Sequence, residues 1–451
     1  MNVEYTKAIV PPDHTASLLH DDWISSVDVL SSTSPVGVHE EKNHGADQSR
    51  HERIVSGSYD GFVRVWNMSS EVIATSPLTP SGGGERGRGP LPVKAVRFLS
   101  SSRIVSSGVD RTIRVWNLKD GNGDGNGDSM IGSKASITPM LELYGHEASI
   151  DCLAVNVANG RILSASADHK LGIWSSNKAD APAAPPELIP TTASNKNAEK
   201  RRKLNDASKT STMPANTALT PPQRGPLSML KGHTGPASAI IFHPSDQTVA
   251  YSTSWDHTLR VWDLTTTSQI DTRTTANPLL SLASLSSLSL LATGTSARHI
   301  SLIDPRASAT KVSVLTLRGH KNAVVSLAPN PENEYGLVSG SHDGTCRIWD
   351  VRCVKPGNRL DGSGGETMGG GGGGGDGGEG RVGESLFVFG RSGADGKTQN
   401  GNGASVGSGE ASKVYEVNWD KAIGIVSCGE DKTVQINQGR DLRSGASVDK
   451  K

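Results

Sequence analysis

Cysteine is scarce: Cys152, Cys346, Cys353 and Cys428 are the only four in 451 residues. No two form a C-x-x-C pair, so neither a zinc site nor a disulfide framework is expected, and four reduced, mostly buried thiols are. Net charge is absent too, with 46 Lys and Arg against 46 Asp and Glu. That balance argues against a chain-wide nucleic-acid or membrane footprint and leaves only local patches. No apolar run approaches the ~18 residues of a membrane span. The N-terminus "MNVEYTKAIVPP" lacks the basic-then-apolar pattern of a signal peptide. A soluble intracellular protein with no membrane partner is expected. Glycine is the excess, at 52 residues, and it is clustered.

What is present is a repeat. "STSWDHTLRVWD" (252–263) stands beside "SGSYDGFVRVWN" (56–67), "SSGVDRTIRVWN" (106–117), "SASADHKLGIWS" (164–175) and "SGSHDGTCRIWD" (339–350). Two worn copies, "TGTSARHISLID" (293–304) and "SCGEDKTVQINQ" (427–438), bring the count to seven. Each copy is a short apolar strand, a tight turn around Asp, and an alternating strand ending at Trp or a substitute. The period-two alternation of Val63 and Val65, or Ile113 and Val115, marks half-buried strands. Upstream of several copies stand Gly145-His146, Gly232-His233 and Gly319-His320, with His20 in the same place without its glycine. A further strand follows each pair.

Four strands per unit with Gly-His and Trp-Asp signatures resemble the WD-repeat family. The resemblance implies an all-β fold: a seven-bladed WD-repeat β-propeller whose blades stack around an axis and cover one another's faces. It also implies a structural tetrad in which the turn Asp accepts from the His, the His meets a strand hydroxyl, and that hydroxyl meets the Trp. In blade six this falls on Asp343, His320, Ser339 and Trp349. Blades three and four carry its parts at His146, Asp168 and Trp174, and at His233, Asp256 and Trp262. No nucleophile repeats beside these histidines, so a catalytic role is the poorer reading.

The seventh unit holds three strands and needs a fourth. The N-terminal "VEYTKAIV" (3–10) is expected to supply it, closing the last blade and removing an open sheet edge. Deleting residues 1–12 should then lower the melting temperature sharply. A single propeller over 1–440 with a disordered tail at 441–451 follows. Turn aspartates are 50 residues apart from Asp60 to Asp110, 58 to Asp168 and 88 to Asp256, then 87 across two blades to Asp343 and 88 to Asp431. A blade needs ~40–45 residues, so the excess marks insertions. The clearest are 79–89, 119–136, 176–226 and 354–410, rich in Gly, Ser, Pro and Asn and expected to be disordered.

Three stretches imitate motifs and fail. "DGNGDG" (120–125) would place Ile131 where a calcium loop needs Glu. "GRSGADGKT" (390–398) has five residues between Gly390 and Gly396 where a phosphate loop has four. "HEEKNH" (39–44) has one residue too many for a zinc helix. The run Lys200, Arg201, Arg202, Lys203 differs, because four consecutive cations in an exposed linker suit a nuclear import signal or an RNA-contacting tail.

No convergent acid–base set, nucleophile elbow or metal cluster is visible, so neither an enzyme nor a cofactor is expected, and function is sought on the surface. Trp255 precedes the turn Asp of its blade, on the face that carries the Gly-His segments. Tyr59, His342 and Glu430 hold the same position elsewhere, and Trp23 follows His20 by three residues. These five are the partner-binding candidates, since large rings on exposed loops favour protein–protein hot spots.

"VEYTKAIVPP", "HDDWISSVDVL", "PQRGPLSMLKGHTGP" and "SCGEDKTVQINQGRDL" together resemble one branch of the family, the WD-repeat ribosome biogenesis proteins of the PeBoW complex. That resemblance implies a non-catalytic scaffold of the nucleus, nucleolus and nucleoplasm. It would bind the propeller of the block-of-proliferation-type WD-repeat protein, which holds pescadillo. Together they would act on pre-large-subunit ribosomal particles, in pre-rRNA processing and maturation of the 60S subunit. Family members carry a ubiquitin-like domain ahead of the "VEY" strand, the part engaged by the midasin ATPase. The sequence here begins at Met1-Asn2, so midasin is not an expected partner. An alternative is a substrate receptor of a cullin-type ubiquitin ligase, because "WDVR" (349–352) and, less closely, "IDPR" (303–306) match such receptors. A third is direct RNA binding through Arg64, Arg97, Arg114, Arg260 and Arg347 on the strands.

Overall fold

Residues 13–31, 52–77, 90–119, 135–189, 221–307, 313–355, 382–391 and 412–438 are described by a computed structural model. They form seven four-stranded antiparallel blades in a closed ring. Blade one is Ile24–Leu30, Arg53–Ser58, Val63–Asn67 and Val72–Thr75, from the axis outward. Blades two to six begin at Val93, Ile150, Ala237, Leu279 and Val324. Blade seven is Val414–Asp420, Gly424–Gly429 and Thr433–Gln438, completed by Asp13–Leu19. Closure by an N-terminal strand is thus as expected, but the strand is Asp13–Leu19. The segment 3–10 lies outside the described residues. The closing strand ends directly before His20, where "LELY", "SMLK" and "LTLR" end before Gly-His in other blades. Its polar start, "DHTAS", hides it from a propensity reading, whereas "VEYTKAIV" has stronger β formers.

Seven apolar clusters fill the seven gaps between blades. Leu18, Ile24, Val27, Val426, Val434 and Ile436 close the joint between blades seven and one. Trp66, Trp116, Trp174, Trp262 and Trp349 are at most 3% exposed and pack toward the preceding blade. Blades five and seven have Ile303 and Asn437 at that place. In the second, Phe387, Phe389 and Trp419 pack against the joint instead. Close approach also requires Gly57 and Gly340, where an added Cβ would come within 2.7 Å of Val93 and of Val414 and Val417 respectively. Burying both faces of each sheet against neighbours is what a lone blade cannot do.

Two expected insertions contain described strands. Val382–Gly390, inside 354–410, is the outer strand of blade six, and its first residues run parallel to the outer strand of blade five. Within 176–226, Gln223–Arg224 adds a short parallel strand beside Glu142–Leu143 of blade two, and 176–189 turns back so that Ala183 bridges to Arg224. In the first case the apolar "LFVF" was masked by flanking glycine; burial of Phe387 and Phe389 holds it. The core of each insertion, 190–220 and 356–381, lies outside the described residues, as do 78–89, 120–134, 392–411 and 439–451.

Every innermost strand carries a β-bulge one residue after its start, as between Ile24 and Ser26 or Val414 and Glu416. Bulges re-aim the extra side chain. Here the extra residues, Ser25, Lys94, Asp151 and Tyr415 among them, line the axial channel, a cavity of about 380 Å³.

Candidate functional site

The turn histidines fix the loops of one face. In blade three, His146 Nδ1 lies 2.8 Å from Asp168 and Nε2 2.7 Å from Ser164, whose hydroxyl also accepts from Trp174 Nε1 at 2.8 Å. Blade four repeats this with His233, Asp256, Ser252 and Trp262 at 3.0, 2.7 and 2.8 Å. Blade six repeats it with His320, Asp343, Ser339 and Trp349 at 2.9, 2.7 and 2.8 Å. The network assigns the tautomer: Nδ1–H donates to the carboxylate and Nε2 faces the hydroxyl. Burial opposes ionisation of Asp168, but hydrogen bonds from His146 and from the Glu147 and Lys170 amides outweigh it and hold the carboxyl down to about 2. Burial pushes His233 and His320 below their ordinary value. The structure brings together the ten residues expected from the sequence and adds Ser164 and Ser252, twelve in three constellations. Each serine that meets a histidine, Ser164, Ser252 or Ser339, is fully buried and is also bonded by the indole of the Trp.

The other four blades depart from the pattern, and blades one and seven put an arginine into the network. In blade one Arg64 stands between His20 and Asp60, 2.7 Å from Nδ1 and 2.6 Å from the carboxylate. Burial and then the Arg64 charge lower His20 to about 3, so its Nδ1 accepts and its Nε2–H donates to Ser56 at 2.8 Å. In blade seven Gly390-Arg391 takes the place of Gly-His. Arg391 binds Asp431 through Nε and Nη2, both at 2.8 Å, and Ser427 through Nη1 at 2.8 Å. The stretch that imitates a phosphate loop thus begins with a structural arginine. The signal was the ten-residue interval from Ser427 to Asn437, equal to that from Ser164 to Trp174.

On this face the candidate aromatics gather unevenly. Trp23 and Tyr59 of blade one meet Tyr415 of blade seven, with ring centroids 5.6 Å, 6.3 Å and 6.2 Å apart. His342 of blade six packs edge-on against Tyr415 at 5.9 Å. Lys94 of blade two places its ammonium 4.4 Å from the Tyr59 ring and also bonds its hydroxyl. Trp23 keeps 37% of its surface exposed. Five side chains from four blades thus make one amphipathic patch at the channel mouth. Glu430 lies beside it and pairs with Lys413. Trp255 stands apart on blade four, 57% exposed. Sequence reasoning missed Tyr415 and Lys94; both are bulge residues, re-aimed by a feature that no spacing reveals.

Below the patch, the channel wall carries Arg97, paired with Glu416 at 2.6 Å, and Asp28, which accepts from the Phe98 amide and from Asn418. Burial pushes the Asp28 carboxyl up to about 6, against the pull of Arg97. These bonds tie blades seven, one and two together. The described residues hold no group of three His, Cys, Asp or Glu that could take a metal ion. All four cysteines are free, and burial pushes Cys346 up to about 12. Lys200, Arg201, Arg202 and Lys203 lie outside the described residues.

The five strand arginines are each engaged by another side chain of the protein. Arg64, Arg97 and Arg114 are paired with carboxylates, Arg260 bonds Gln269, and Arg347 bonds Ser385. Arg352 of "WDVR" is held by Asp350 at 2.6 Å and stacked 4.3 Å from the Tyr335 ring. Arg306 of "IDPR" pairs likewise with Asp304.

Fold and repeat geometry define a WD40-repeat β-propeller that presents a ring of fixed loops. The family described as "WD domain, G-beta repeat" matches residues 14–67, 87–117, 137–175, 224–263 and 311–350, which omits the inner strands of the two blades without Trp. A solved structure, the WD40 β-propeller domain of Doa1, superposes over 94% of this chain and 96% of its own at a TM-score of 0.56 with 16% identity, a likeness of fold. "Ribosome biogenesis protein YTM1" of Ajellomyces capsulatus is 50% identical over all of this chain and 80% of its own length. Proteins of the same name from Aspergillus terreus and Neosartorya fischeri are 50% and 48% identical over 98% of this chain and 81% and 80% of theirs. The chain belongs to this family of ribosome biogenesis proteins.

Proposed function

We propose that the chain is a non-catalytic scaffold of a nucleolar assembly complex. It joins a block-of-proliferation-type WD-repeat protein and pescadillo in pre-rRNA processing and maturation of the large ribosomal subunit. The observation that carries this reading is the identity of about half of all residues with ribosome biogenesis proteins across nearly the whole chain. The geometry supports a platform: loops pinned by buried tetrads and an aromatic patch, Trp23, Tyr59 and Tyr415, at the rim of the channel. Such a patch, with rings that lose little entropy on binding, suits a protein partner. The basic run at 200–203 then serves as a nuclear address.

The test is recovery of the tagged full chain from a fungal extract. The scaffold reading expects both named partners and large-subunit precursor RNA in the same fraction. A cullin adaptor in their place would favour the ligase reading, which the engaged state of Arg352 already weakens.

A further inference from the structure

The loops of the turn-bearing face share one backbone device. The residue after each turn Asp, or its substitute, is left-handed, and blades one and six use Gly61 and Gly344 there. The other five use Arg111, His169, His257, Arg298 and Lys432, with φ between 62° and 70°. L side chains adopt that region at a cost that glycine avoids, and long cations have no local bond to compensate as Asn or Asp would. Five of seven turns thus direct a cation or imidazole outward from one rim, although the chain as a whole carries no net charge.

Between blades five and six these groups line a pocket of about 350 Å³. Its wall is Ala297, Arg298, His299, Arg318, Gly319 and His320, with no carboxylate. His299 and Arg318 face each other across paired strands. Arg298 and Arg318 are exposed, and neither forms an ion pair among the described residues. Beside Gly319 lies the guanidinium of Arg347, whose buried Nε has no hydrogen-bond partner. Arg64, Arg97, Arg114 and Arg391 each have a carboxylate within 3.3 Å, whereas Arg298 and Arg318 stand together at one pocket whose lining holds none. His299 donates Nδ1–H to the Ala297 carbonyl, which leaves Nε2 for a ligand.

We propose that this face binds the phosphodiester backbone of single-stranded RNA, with one phosphate seated between Arg298 and Arg318 and the rim cations following the strand. Cations spread over the rim at Arg111, Arg298 and Lys432, with imidazoles at His169 and His257, match a polyanion whose charges recur along a chain better than they match one phosphorylated side chain. The source of that polyanion rests on the ribosome-assembly reading; the pocket does not.

The test uses the full chain with Lys200, Arg201, Arg202 and Lys203 changed to Gln, so that the propeller alone is read. Binding of a fluorescein-labelled oligouridylate of about 20 nucleotides is followed by anisotropy across a salt series. The parent should bind, and Arg298→Ala/Arg318→Ala should weaken binding about tenfold and flatten the salt slope by about 1.4, the value for two lost contacts to a single strand. Lys421→Gln, a charge removed from an exposed loop away from these turns, should change nothing. A parent that does not bind, an unchanged double variant, or an equal loss in Lys421→Gln would each overturn the inference. So would displacement of the RNA by an equimolar phosphoserine peptide, which would assign the pocket to a phosphoprotein. Full recovery of the chain in precursor particles together with no oligonucleotide binding would overturn this inference alone and leave the scaffold reading standing.

Discussion

Arg391 offers the sharpest test of how the seventh blade is held. Its guanidinium and the Asp431 carboxylate are 1% and 2% exposed, joined by two bonds of 2.8 Å, with Ser427 and Thr433 taking the remaining protons. Arg391→Ala removes every partner of a buried carboxylate but backbone, and breaking such a pair from one side costs about 3–5 kcal/mol. Urea denaturation at equilibrium, followed by tryptophan fluorescence, should show a loss of that size. Hydrogen exchange should quicken in Thr433–Gln438 and in its partner strand Asp13–Leu19. Arg391→Met/Asp431→Leu should recover most of the loss, because no unpaired charge remains. Arg391→His should recover part, since His146, His233 and His320 span the same two partners in their own blades. A loss below about 1 kcal/mol, the scale of an exposed pair, would refute the claim that Gly390-Arg391 replaces Gly-His.

Trp174→Ala should cost about 3–5 kcal/mol by opening the joint between blades two and three, and Ser164→Ala about 1–3 kcal/mol by stranding two buried donors or acceptors; both are read by urea midpoint. Acid should loosen blade one: His20 is held near 3 against 6.5 when unfolded, so its contribution is complete above pH 6.5 and lost as pH falls, about 3 kcal/mol by pH 4. Asp28 runs oppositely, its protonated form being favoured from about 6 downward, so His20→Gln should fall less than the parent between pH 6.5 and 4 in a melting series. Deletion of residues 1–19 should lower the melting temperature and expose the edge of Thr433–Gln438, seen as self-association, whereas a deletion ending at residue 12 keeps the paired strand.

The ring was readable because its signals repeat. Seven turn motifs and the Ser-to-Trp interval locate the second and third strand of every blade, and the Gly-His pairs locate the tetrads. Three things were hidden, each for a physical reason. The closing strand Asp13–Leu19 is polar at its start, so only its position before His20 betrays it. The strand Val382–Gly390 packs Phe387 and Phe389 against the joint between its own blade six and blade seven, which local composition cannot show. Tyr415 and Lys94 reach the surface patch through bulges, and a one-residue slip in register reverses which way a side chain points. Trp255, the most conspicuous ring in the sequence, stays isolated, while Trp23 and Tyr59 are joined by neighbours from other blades.

If the face that carries the turns is the working surface, partner binding depends on its aromatic patch. Calorimetric titration of the full chain with its WD-repeat partner tests that directly, comparing the parent with Trp23→Ala/Tyr415→Ala and with Lys421→Gln away from the turns. Loss of a buried aromatic hot spot is worth about 2 kcal/mol or more, so the double variant should bind at least ~30-fold more weakly with an unchanged melting temperature, and Lys421→Gln should bind as the parent does. Equal affinity for all three proteins would contradict it.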